Sequence, residues 1–363
     1  MKKTILTAAA VLLLASCGVD RLATDTTKTN TGNTGTEAIQ ECVAPPFLVP
    51  GDRIALLSPS YYTPRKNADS AAVVLRAWGY EPVIGANFGK RYDGQYAGTL
   101  DERLADLREA LHDPTIKAII CARGGYGSIK MIDSLSTADF TASPKWLVGY
   151  SDITTQLGMS VASGVMCIHG TMGNSIAEGR GEDVSSRALK ALLEGEIPSY
   201  SLPAHPQNIP GKATGVLVGG NLCTFEANLG TWADITARDG FILFLEEVGE
   251  DMHHIDRLFY VLTMHGLLER CRGIILGDFT DCRLEFDSRS AEEMLAKYLE
   301  GKNIPLMCGF PAGHEYIKLP LIMGARATME VTADGASLTF DVPGAVKRID
   351  VDATLKDESC TAL

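Results

Sequence analysis

Trp146-Leu147-Val148-Gly149-Tyr150-Ser151-Asp152 runs from a short apolar stretch into a polar bend, and an amphipathic segment follows it. Residues 146–148 read as a buried strand and 153–161 as a helix, with Asp152 in its first turn. A serine at such a turn is held up by the bend, close to the positive end of the helix dipole. That is where a nucleophilic hydroxyl and the amides that stabilise its oxyanion are wanted. An ordinary serine N-cap gives the same local pattern, so these residues alone leave both readings open.

Working outward, residues 53–57 and 118–121 read as further short buried strands. Amphipathic stretches at 70–78 and 100–111 lie between them. Such alternation predicts an α/β fold with a parallel sheet covered by helices, whose sites lie at the carboxyl ends of strands. Ser151 follows one such end, and Arg123-Gly124-Gly125-Tyr126-Gly127-Ser128 follows another. The glycine run is compatible with a tight turn, a phosphate cradle, or a backbone amide brought up to a reacting carbonyl. It lacks the full phosphate-loop pattern. Residues 199–212 contain Pro203, Pro206 and Pro210 and read as a linker. A second α/β unit is expected beyond it, with strands at 241–245 and 273–276, a helix at 254–267, and β structure at 327–331 and 337–340.

The chain has 363 residues, 45% of them hydrophobic and 21% charged, enough for a full core in about two domains. Its net charge of −12 argues against nucleic acid as a partner. Lys2 and Lys3 precede an apolar run at 5–15 that is too short to span a bilayer, the pattern of a signal peptide over residues 1–16. It ends in Leu14-Ala15-Ser16-Cys17, which resembles a bacterial lipobox with Cys17 as the lipidated mature N-terminus. Several acyl chains on one cysteine anchor a protein stably. An exported lipoprotein follows as the expectation, on the periplasmic side of a membrane, with the outer membrane favoured. Residues 17–45 are expected to be a tether, because 20–41 are rich in Thr, Asn and Gly. Twenty such residues reach about 25 Å.

The remaining eight cysteines lack zinc-ligand spacing, and neither a metal nor a cofactor is expected. Cys42 and Cys360 flank the folded region, and an oxidising compartment would permit their pairing. Among the seven histidines, His314 follows the strand-like 305–308 in a loop, and His169 follows the apolar run 165–168. His112, His205, His253, His254 and His265 fall in predicted helix ends or the linker and are weaker candidates for a base. Glu246 and Glu247 end the apolar run 241–245 as candidate orienters of that base. A nucleophilic serine requires both a base and an orienter.

At these residues the chain resembles the LD-carboxypeptidase family of serine peptidases and its microcin-immunity relatives. The likeness covers residues 47–342. It rests on Gly51-Asp52-Arg53-Ile54-Ala55, Ser58-Pro59-Ser60, Ala97-Gly98-Thr99 with Asp101-Glu102-Arg103-Leu104, the loop 123–128, Gly149-Tyr150-Ser151-Asp152 and His169-Gly170. It continues through Gly219-Gly220-Asn221-Leu222, Leu245-Glu246-Glu247, Ile275-Leu276-Gly277 and Gly313-His314.

The resemblance implies an N-terminal parallel-sheet α/β domain at 46–198 carrying the nucleophile Ser151. It implies a smaller C-terminal mixed α/β domain at 213–345 carrying Glu246 and the base His314, with a cleft between the two. Residues 346–363 remain as a tail. The three side chains are then expected within hydrogen-bond reach of one another, with the amides of Gly125 and Asp152 as oxyanion donors. Arg123, Tyr126 and His169 are the expected substrate contacts. The implied reaction removes a terminal D-amino acid, typically D-Ala, from a murein tetrapeptide without a metal, in a protein that often forms dimers. Hydrolysis of aminoacyl-nucleotide conjugates is the alternative enzyme, and non-catalytic binding of murein peptides is the alternative outside catalysis. Murein-recycling members of the family are typically cytoplasmic, so the export signal here points to a different physiological substrate, such as periplasmic stem peptides.

Overall fold

The computed structural model describes residues 37–283 and 290–353. Cys17, the signal segment, most of the tether and Cys360 lie outside them. Fourteen strands are present among the described residues. In chain order they are β1 (Arg53–Leu57), β2 (Glu81–Ile84), β3 (Ile116–Cys121), β4 (Trp146–Gly149), β5 (Cys167–His169), β6 (Glu196–Pro203) and β7 (Gly211–Asn221). They continue as β8 (Phe241–Val248), β9 (Cys271–Thr280), β10 (Leu306–Met307), β11 (Leu321–Met323), β12 (Arg326–Val331), β13 (Gly335–Asp341) and β14 (Lys347–Asp352).

Two sheets result. The first has the order β11-β5-β4-β3-β1-β2. Its first five strands in sequence run parallel, and β11 joins antiparallel at the edge beside β5. The second has the order β10-β9-β8-β7-β12-β13-β6-β14 and is mixed, so the larger sheet belongs to the second unit. The α/β class and the parallel first sheet follow from apolar runs such as β3 and β4, whose residues are almost all buried.

The helices between them are set by local chemistry. Thr99 and Glu102 form a reciprocal capping box that starts the helix Leu100–His112. Asp183 caps Val184–Leu193 through the Ser186 amide. The helix Thr154–Ala162 is preceded by a single 3-10 turn, Ser151–Ile153.

Three expectations about boundaries are corrected. The segment read as a linker is half strand: its first residues belong to β6, which pairs with β13 and β14, because Pro198, Tyr200 and Leu202 alternate into the core. The C-terminal tail contributes β14 to the same sheet edge. The tether ends earlier than residue 45, since Ala38 bridges to Asp239 and Val43 to Val165, and Cys42 is buried beside Gly324. The thiol of Cys42 bonds to the carbonyl of Val161, and burial pushes it up to about 12.

The described residues form one compact unit with a continuous core that spans both sheets. Tyr200 joins the two directly. Its hydroxyl donates to Pro320 O at 2.7 Å, and its ring meets Phe310 at 5.1 Å and Phe340 at 6.4 Å. Phe310 in turn lies 6.4 Å from Phe244, which packs edge-on against His169 at 4.9 Å. Each such ring, fully buried, contributes about 2–3 kcal/mol of transfer free energy.

Candidate active site

Ser151 sits where β4 ends, with a left-handed backbone of φ 62°. A serine held there carries about 1–3 kcal/mol of strain, a cost that persists only when the surroundings over-determine it. Close packing does so here. A Cβ on Gly149 would stand 2.7 Å from Ile153 Cγ2, so the turn closes tightly only with glycine at that position. A Cβ on Gly124 would stand 2.8 Å from Ser151 Cβ and 2.9 Å from its Oγ, which places the glycine loop directly against the serine.

Asp152 ties the two together. Its carboxylate accepts from Ser60 Oγ at 2.6 Å and from the Ser128 amide at 3.0 Å, and the two serine hydroxyls are 2.8 Å apart. Arg103 reaches under the same loops from the helix Leu100–His112, donating to Pro59 O at 2.6 Å and Gly127 O at 3.1 Å. Loops after β1, β3 and β4 are thus held as one piece. The Gly125 amide beside them makes no hydrogen bond to protein among the described residues.

The other half of the site comes from the second sheet. Glu246 lies within β8, fully buried, and its Oε2 is 2.8 Å from His314 Nδ1. Burial alone would push this carboxyl up; the imidazoles of His169 and His314 outweigh it and hold Glu246 below the usual carboxylate range. Glu247 points to the opposite face, as alternation along a strand requires. It accepts from Asn221 Nδ2 at 2.7 Å, Val248 N at 2.8 Å and Cys223 N at 2.9 Å. Its burial pushes it up to about 7, and its partners make it a structural brace for the helix Leu222–Glu226. Asn221 donates its own amide to Thr154 Oγ1 at 3.0 Å, which links this brace to the helix behind Ser151.

His314 is presented by the loop between β10 and β11. Asp278 N donates to Ala312 O at 3.0 Å and Leu319 N to Pro311 O at 2.8 Å, which pins the loop at both ends. Tyr150, the neighbour of Ser151, packs edge-on against the His314 ring at 5.1 Å. The turn carrying the serine and the loop carrying the histidine therefore meet. In this structure Ser151 Oγ makes no hydrogen bond to His314; apo sites are commonly looser than the reacting complex.

The remaining expected contacts separate. Arg123 is exposed, its guanidinium lies 5.8 Å over the Tyr61 ring, and no carboxylate pairs with it among the described residues. Tyr126 is 46% exposed and packs on Tyr96 at 6.1 Å. His169 is not on the cleft surface: it is 1% exposed, at the end of β5 and behind Glu246. That placement suits a partner of Glu246 rather than a substrate contact.

Sequence reading gave no role to Ser60, Ser128, Arg103 or Asp278. Arg103 had a signal, since it falls on the apolar face of its helix, three residues after Leu100 and four before Leu107. Asp278 had none. Burial, with Glu315 and Glu246 nearby, pushes its carboxyl up to about 7 beside the His314 loop.

Residues 54–170 match the N-terminal domain of LD-carboxypeptidases and residues 214–329 match their C-terminal domain. The chain belongs to the LD-carboxypeptidase family. It is 34% identical to a putative carboxypeptidase of Streptomyces coelicolor over 84% of this chain and 98% of that protein. It is 31% identical to the murein tetrapeptide carboxypeptidase of Pseudomonas aeruginosa over 72% of this chain and 88% of that protein. The microcin C7 self-immunity protein of Escherichia coli is 27% identical over 82% and 95%. Among solved structures, the muramoyltetrapeptide carboxypeptidase of Oxalobacter formigenes superposes with a TM-score of 0.72 at 27% identity, covering 80% of this chain and 99% of that one. Family membership makes this chain a peptidase, a hydrolase of the carboxypeptidase kind.

Proposed function

We propose that this member of the LD-carboxypeptidase family is a serine enzyme that removes the terminal D-amino acid, D-Ala in the common case, from murein tetrapeptides. The observation that carries the reading is the hydrogen bond from buried Glu246 to His314, whose ring packs on Tyr150 beside the strained turn of Ser151. A carboxylate that fixes one imidazole nitrogen leaves the other free to act as a base.

In this mechanism His314 Nε2 takes the Ser151 proton as Oγ attacks the scissile carbonyl carbon. Glu246 holds the ring and stabilises its cation. The Gly125 and Asp152 amides bind the oxyanion, each worth about 3–4 kcal/mol of barrier. His314 then protonates the leaving amine as the C–N bond breaks, and water, activated by the same ring, releases the acyl group from Ser151. Arg123, with no acidic partner among the described residues, is free to grip the terminal carboxylate in a forked pair.

Mass spectrometry of defined stem peptides tests this. Loss of one terminal D-Ala from a tetrapeptide, and none from its all-L isomer, is expected. The likeness to the microcin self-immunity protein supports a second reading, hydrolysis of aminoacyl-sulfamoyl nucleotides. Turnover of such a conjugate with no release of D-Ala would favour it.

The lipobox reading places the enzyme on a membrane through Cys17. Cys17→Ser should abolish acylation and release the protein while leaving hydrolysis intact; labelled-palmitate incorporation into that variant would refute it.

A further inference from the structure

Glu246 has two oxygens, and His314 uses one. The other, Oε1, is buried, has no hydrogen-bond partner among the described residues, and faces His169 Nε2 at 3.9 Å. Both ring nitrogens of His169 are also buried, with no hydrogen-bond partner among the described residues. The ring packs against Phe244 at 4.9 Å and Tyr150 at 6.1 Å and is 1% exposed. Its backbone is fixed by β5, where His169 stands opposite Gly149 of β4, two residues before Ser151. An imidazole and a carboxylate oxygen, each buried and each lacking any other partner, stand about 1 Å beyond hydrogen-bond length.

We propose that His169 is a positioning residue: its Nε2–H donates to Glu246 Oε1 and fixes the carboxylate that orients His314. This rests on the Ser–His–Glu reading above. The physical need is specific. The terminal torsion of a glutamate is broad and roughly two-fold, so one hydrogen bond at Oε2 leaves the carboxylate plane free to rock, and the His314 ring rocks with it. A second donor at Oε1 removes that freedom. His169 stands on a strand of the first sheet and His314 on the loop from β10 to β11, so Glu246, on a strand of the second sheet, becomes the point where the halves of the site are registered.

Two measurements on the full chain test the proposal. With isotope-labelled histidine, Glu246→Ala should perturb two slowly exchanging imidazole N–H signals, those of His314 and His169. A response from His314 alone overturns the inference. In kinetics, His169→Gln places an amide donor near the Nε2 position and should keep kcat within about 3-fold of wild type. The shorter His169→Asn cannot reach, and should lose about 10-fold or more in kcat with KM within about 2-fold. Equal kcat in the two variants, with matched melting temperatures, overturns the inference. Failure of the wild type to release D-Ala would instead refute the proposed reaction, and the resonance measurement would still decide the role of His169.

Discussion

Asp152 and Ser60 are joined by a 2.6 Å hydrogen bond between residues ninety-two positions apart, and neither side chain reaches solvent appreciably. That bond ties the serine turn after β4 to the loop after β1. Asp152→Ala would leave Ser60 Oγ and the Ser128 amide without their shared acceptor. Removing one partner from a buried charged network costs about 3 kcal/mol or more. Asp152→Ala should therefore lower the melting temperature by several degrees and reduce kcat together. Thermal unfolding followed by peptide kinetics checks this, and unchanged values of both would refute the role given to Asp152.

Gly124→Ala tests the packing of the glycine loop on Ser151. The added methyl meets Ser151 Cβ at 2.8 Å, too close for real carbon atoms, so the serine turn or the loop must shift. Gly124 lies in the loop beyond the end of β3, and its close contacts are with the serine turn and not with apolar core side chains. The expected result is a folded protein with kcat lower by about 100-fold, since small misplacements of reacting atoms carry costs of that order. Circular dichroism and steady-state kinetics separate this from simple unfolding.

Asp278 predicts a pH dependence of stability. Its folded value of about 7 lies above the ordinary 3.8, so the folded state prefers the protonated form. Its contribution is full below about 3.8 and is lost as pH rises through about 7. Asp278→Asn mimics the neutral form at every pH. Its stability relative to wild type should therefore rise between pH 4 and pH 7, by about 2 kcal/mol after allowance for partial exposure. Denaturant melts at the two pH values measure the difference; a gap of the opposite sign would refute it.

Ser151→Ala and Arg123→Ala separate catalysis from binding. Loss of the nucleophile should lower hydrolysis by about 10⁴-fold or more, because members of a triad act as a unit. Affinity for an uncleaved tetrapeptide analogue should change little. Arg123→Ala should weaken that binding by about 10-fold or more through loss of a charge-assisted pair. Calorimetry on both variants decides it, and near-normal turnover by Ser151→Ala would end the nucleophile assignment.

Much of this was legible in the chain itself. The apolar runs at β1, β3, β4 and the start of β8 are short and continuous because their strands are covered on both faces, and that is visible without coordinates. So is the serine at a strand-to-helix turn. The pairing of β6 and β14 was not legible, because proline-rich and charged segments at a sheet edge look like linkers until their partners are known. The placement of β11, which leaves the second half of the chain to close the first sheet, is likewise a long-range event with no local signature.

The sequence by itself determined the strand-and-turn grammar and the residue types that a serine peptidase needs, since period, capping and turn chemistry act over a few residues. The pattern of residues alone left Glu246 and Glu247 open and the family likeness chose Glu246; only the tertiary structure decided that Glu246 lies 2.8 Å from His314, and that His169 stands behind Glu246 and not in the cleft. Adjacent strand residues face opposite ways, and which face holds the histidine depends on how segments far apart in the chain pack together.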